Sequence, residues 1–169
     1  MDKYIEMIQS AVDKVNRSYI EVDPKKDRNF VYYERIFCYE LYHQMRCLQT
    51  QHSDLFEFKI HGELTKDRYE GFGKVTPDFL IHIPNEVGKE KNRVIVEVKT
   101  SKNNADEIFK DFEKLNKFIK MDNGYQYGVF IWVGEKLSDL HEEIKKRKRL
   151  GSIDKIWVIH KNPNADEKV

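Results

Sequence analysis

The sequence predicts an α/β domain, a mixed β-sheet flanked by helices, and three observations carry that expectation. Apolar residues recur at three- and four-residue steps up to Leu48, and beyond Asp54 the period drops to two. Arg93–Lys99 is a run of β-branched residues, the composition of a central strand. After it, helical and strand patterns alternate and are punctuated by Gly124 and Gly151, as crossover connections require.

Each element follows in order. Ile5, Ile8, Val12 and Val15 form one stripe of an amphipathic helix over about residues 2–17. Asp23-Pro24-Lys25-Lys26-Asp27 is a polar connection. Phe30, Phe37, Leu41, Met45 and Leu48 are the buried stripe of a longer helix. Leu55–Ile60 alternates apolar with charged residues and is the first strand, Val75–Ile83 the second and Arg93–Lys99 the third. Short connections make these three an antiparallel meander. Asn103 or Asn104 caps the next helix, whose inner face is Ile108, Phe112, Leu115 and Ile119, and Gly124 ends it. Tyr125–Val133 is a fourth strand, Leu137, Leu140 and Ile144 mark another helix, and Lys155–Ile159 is a last strand before a frayed tail from Asn162.

With 169 residues, 40% hydrophobic and 35% charged, the chain has the size and balance of one globular domain. A net charge of +1 excludes a globally basic nucleic-acid binder, so any grip on phosphate must be local. Cys38 and Cys47 have no CxxC spacing and read as small apolar packing residues of a reduced protein. The N-terminus has no apolar leader segment, and no apolar run approaches the roughly 20 residues of a membrane span. The expected location is the cytoplasm, with no membrane partner.

The chemistry concentrates on two strands. Glu97 and Lys99, two apart in a strand, project to one face. If the second and third strands are antiparallel neighbours, Asp78 lies level with them. Two carboxylates can hold Mg²⁺ and leave coordination positions for water and a phosphate oxygen. Such a metal acidifies its water and screens the charge on a phosphate, while a lysine beside it orients or deprotonates the water or stabilises the transition state. The alternative is a structural salt-bridge cluster. Both answer the same fact, that Val94-Ile95-Val96-Glu97-Val98-Lys99 buries two ionisable groups where an unpaired charge is costly.

Thr76-Pro77-Asp78-Phe79, followed by Ile95-Val96-Glu97-Val98-Lys99-Thr100-Ser101, resembles the PD-(D/E)xK signature of restriction-endonuclease-like nucleases. The order of elements from Phe30 to Val133 also resembles the αβββαβ core of that superfamily. The resemblance implies phosphodiester hydrolysis, most often in DNA, with Mg²⁺ or Mn²⁺ held by Asp78, Glu97 and the carbonyl of Val98, and with Lys99 serving the water. It also implies a further glutamate on the helix before the first strand. Glu34, which shares a face with Phe37, Leu41 and Met45, is preferred over Glu40, which faces with Phe37 and Gln44. No position of the trio departs from the pattern. A homodimer is expected by analogy alone. The alternative to an enzyme is a non-catalytic nucleic-acid-binding or protein-interaction module that retains the fold.

Weaker signals have bland readings beside the functional ones. His82, on the strand face of Asp78, is either near the site or a hydrogen-bonded structural histidine. Lys102 is placed for contact with a nucleic-acid backbone. The run Lys145-Lys146-Arg147-Lys148-Arg149 complements a helix dipole or meets phosphate. Tyr32, Tyr33, Tyr39 and Tyr42 are packing residues with polar tips, or a stacking or protein-binding surface.

Overall fold

A computed structural model describes residues 2–23, 31–53, 56–64, 75–100, 105–134 and 155–164. The described residues form a mixed α/β structure. Helix α1 (Lys3–Lys14) is followed by two short strands, β1 (Glu21–Val22) and β2 (Val31–Tyr32), and by helix α2 (Glu34–Gln51). Then come β3 (Lys59–Gly62), β4 (Phe79–His82), β5 (Asn92–Thr100), helix α3 (Ala105–Lys120), β6 (Tyr127–Val133) and β7 (Ile156–Lys161). The last five strands make one sheet in the order β3-β4-β5-β6-β7. The first two pairings are antiparallel and the last two parallel, so the meander and the crossovers stand as expected.

The β-branched run lies at the centre of that sheet, and each of its faces meets different helices. Val94, Val96 and Val98 point with Val129 and Ile131 into a core completed by Ile5, Ile8 and Val12 of α1 and Phe37, Leu41 and Met45 of α2. Ile95 points the other way, with Leu80, Phe130 and Trp132, into a second core closed by Ile108, Phe112, Leu115 and Phe118 of α3. Asp2 caps α1, its carboxylate accepting from the Tyr4 amide. Between α3 and β6 the chain turns so tightly that a Cβ on Gly124 would stand 1.8 Å from the Phe118 carbonyl oxygen. That carbonyl accepts the Tyr125 amide, at 3.1 Å.

Several boundaries differ from the sequence reading, each for a non-local reason. Helix α2 starts at Glu34, because Val31 and Tyr32 pair with Val22 and Glu21 in a two-stranded ribbon. The first strand of the large sheet is Lys59–Gly62, later than expected. Its forerunner Phe58 donates its amide to the Tyr4 hydroxyl, and its carbonyl accepts from the Gln49 side chain, so neither group joins a ladder. The β4 ladder begins at Phe79, after Pro77, which has no amide hydrogen to donate. Cys47 is only half-buried, whereas Cys38 is in the core, and both are free thiols. The expected caps Asn103 and Asn104, the helix through Leu137, Leu140 and Ile144, and the basic run 145–149 lie outside the described residues, as does Lys102. No described helix is long and apolar enough to cross a membrane.

Candidate active site

The antiparallel register of β4 and β5 pairs Phe79 with Val96. One step further along, Asp78 stands level with Glu97, and its Oδ2 accepts the amide of Val98 at 2.7 Å. That bond ties the carboxylate of one strand to the backbone of the other. Glu97 is 2% exposed and Lys99 is half-buried, both on the α3 side of β5. The Lys99 ammonium reaches both carboxylate oxygens of Glu34, at 3.3 Å each, and the carbonyl of Val98 at 3.1 Å. Asp78, Glu97, Lys99 and Glu34 therefore meet at one end of the sheet, where the first turn of α2 passes the end of β5.

Glu40 does not join them: it accepts a hydrogen bond from Gln44 one turn along its own helix, at 2.7 Å. His82 pairs instead with His61 across β3 and β4, ring nitrogens 2.7 Å apart, which favours its structural reading.

Two members were not foreseen. Lys114 of α3 lies 2.8 Å from Glu97 Oε2 and 2.9 Å from Asp111 Oδ1, and Asp111 Oδ2 lies 3.2 Å from the Lys99 ammonium. The signal for them was faint. Asp111 falls inside the stripe Ile108, Phe112, Leu115, so α3 carries a carboxylate on its buried side. The completed cluster holds four carboxylates against two ammoniums, an excess of negative charge that suits a divalent cation.

Burial sets the protonation of these groups. Burial raises the Asp78 carboxyl to about 6, against the lowering effects of the Val98 amide and Lys99. Glu97 is held well above the usual carboxylate range, first by burial and then by the charge of Asp78 beside it. For Lys99 burial favours the neutral amine, but Asp111, Glu34 and Asp78 together outweigh it and raise its affinity for the proton. Lys114 is likewise raised, with Glu97 and Asp111 outweighing burial.

No family model, curated protein or solved structure matches the chain. The chemistry of the site therefore rests on its own residues. Among the described residues no group of three or more His, Cys, Asp and Glu side chains is disposed to hold a metal ion. The donors expected for Mg²⁺ are two carboxylates and a carbonyl, all hard oxygens, and one observation fits them to that use. Glu97 Oε1 is buried and has no hydrogen-bond partner among the described residues. A buried carboxylate oxygen left in this state is costly unless a cation or water meets it.

Proposed function

We propose that this chain is a Mg²⁺- or Mn²⁺-dependent nuclease of the PD-(D/E)xK type, with a restriction-endonuclease-like fold, that hydrolyses phosphodiester bonds in DNA. The observation that carries the reading is Glu97. It is buried, held at Oε2 by Lys114, unpartnered at Oε1, and level with a second carboxylate anchored to its own strand. The element order α2, β3, β4, β5, α3, β6 supports the fold assignment. Asp78 and Glu97 would hold the metal, with the Val98 carbonyl beside them. A metal there supplies Lewis acidity toward phosphate and acidifies a water.

The protein's own groups divide the remaining work. The raised proton affinity of Lys99 supports orienting a water or stabilising a phosphate oxygen over proton abstraction. Glu34 and Asp111 fix the Lys99 ammonium from two sides, so both are positioning residues. The test is Mg²⁺-dependent cleavage of plasmid, single-stranded and branched DNA by the wild type, Asp78→Ala and Lys99→Ala, each checked for folding by circular dichroism. Cutting by the wild type and loss of cutting in both variants is the expected outcome. Equal behaviour of all three on every substrate overturns the reading.

A second reading, a non-catalytic binding module that retains the fold, is favoured by the net charge of +1 and by the capture of Glu97 by Lys114. Under it, Mg²⁺ leaves the melting temperature of wild type and Asp78→Ala equally unchanged. Under the nuclease reading Mg²⁺ stabilises only the wild type.

A further inference from the structure

Two clefts are lined in part by members of the charged cluster. The first, about 520 Å³, is walled by Asp78 together with Tyr39, Tyr42, His61, Glu63 and Phe79. Tyr42 is stacked on Phe79, with ring planes 12° apart, and Tyr39 is 64% exposed. Glu63 adopts φ of +49°, a conformation a side chain rarely takes, and its amide donates to the Asp78 carbonyl, which fixes this wall to the site. The second cleft, about 450 Å³, lies against α3 and is walled by Thr76, Lys110, Asp111, Glu113, Lys114 and Lys117, three ammoniums against two carboxylates. Its lysines recur at steps of four and three, so they line one side of the helix over roughly 10 Å.

The cluster contributes to both clefts: Asp78 lines the aromatic one, and Asp111 and Lys114 line the lysine-rich one. One ligand carries both chemistries side by side: a nucleic-acid strand, with an anionic backbone and flat bases. In a duplex the bases are stacked on one another and unavailable to a tyrosine, whereas a single strand offers them freely. We propose that a single strand of DNA lies across the cluster, with its phosphates along Lys110 and Lys117 and one base in the Tyr39–Tyr42 cleft. The protein on this account prefers single-stranded to duplex DNA. The proposal rests on the nuclease reading only in taking nucleic acid as the ligand.

Fluorescence anisotropy of a labelled oligothymidylate and of a duplex containing it, with Ca²⁺ in place of Mg²⁺, tests the path over a range of salt. The wild type binds the single strand about tenfold or more tighter than the duplex, since one stacked base is worth about 5- to 150-fold. Lys110→Gln combined with Lys117→Gln lowers the slope of log affinity against log salt by about 1.4, at roughly 0.7 for each phosphate contact. Tyr39→Ala weakens binding about fivefold or more and leaves the slope unchanged. Duplex bound as tightly as single strand overturns the proposal, and so does a slope indifferent to the two lysines. Binding as described without any Asp78-dependent cleavage in Mg²⁺ removes the nuclease reading and leaves the strand path standing. Asp78-dependent cleavage with no strand preference and an unchanged slope does the reverse.

Discussion

The two faces of β5 are both covered by helices and filled with opposite chemistry. Toward α1 and α2, Val94, Val96 and Val98 pack into an apolar core. Toward α3, the same strand presents Ile95, then Glu97 and Lys99, and the helix above it supplies the apolar Ile108 and Phe112, then Asp111 and Lys114. The first face lowers the free energy of the fold by taking hydrocarbon out of water. The second holds charges that burial opposes, and the cost is offset only in part: Lys114 meets Glu97 and Asp111, Lys99 meets Glu34 and Asp111, and Glu97 Oε1 meets no partner among the described residues. One strand thus separates a stabilising surface from a reactive one, and the sheet between them keeps water from the first while the second stays open at its end.

The sharpest way to break this contrast is to move a charge to the wrong face. Val96→Asp places a carboxylate where no cation can reach it and should cost about 4 kcal/mol. Urea denaturation reads the loss as a lower midpoint, and a midpoint like that of the wild type would mean the apolar face is wet. On the opposite face, Lys114→Leu leaves Glu97 without its ammonium and should cost about 3 kcal/mol. Glu97→Leu combined with Lys114→Leu should return stability to within about 1 kcal/mol of the wild type while removing any metal response. A double variant as unstable as the single one would show that the ion pair contributes net stability.

A smaller effect comes from pH. In the folded chain the Asp78 carboxyl is raised to about 6 from an ordinary value of 3.8, and Glu97 is raised as well. Between those two values the folded state binds the proton more tightly than the unfolded one, so stability falls as pH rises through that window. For Asp78 alone the change between pH 4.5 and 7 is about 2 kcal/mol, at about 1.4 kcal/mol per unit. Thermal melts of wild type and Asp78→Asn at pH 4.5 and 7 isolate it. The wild type should gain relative to the variant at the lower pH, and a constant difference between the two proteins would remove the carboxyl from the account.

What the sequence disclosed, and what it withheld, follows the same division. The trio was legible because period two and a short connection fix which side chains share a face, and Glu34 because helical phase aims it at the sheet. Helical phase also favours Glu34 over Glu40, and Gln44, already placed on the face of Glu40 by its four-residue spacing, is the partner Glu40 takes. The start of β3 was misplaced because the backbone of Phe58 is satisfied by Tyr4, 54 residues away, and such a partner leaves no local pattern. Asp111 and Lys114 escaped for a related reason. A charged pair three apart on a helix reads as solvated until the helix is docked on a strand that carries its counter-charges.

The change from antiparallel to parallel pairing at β5 also divides the assembly in time. The meander that brings Asp78 beside Glu97 closes a loop of about twenty residues and needs no other element, so its entropic cost is small. Pairing of β5 with β6 must wait for α3 to cross the sheet, a less local event. The contact that gathers the carboxylates is thus closer in sequence than the one that docks α3 over them. Dehydration comes with the docking of α3, and that same helix carries the lysine that compensates it.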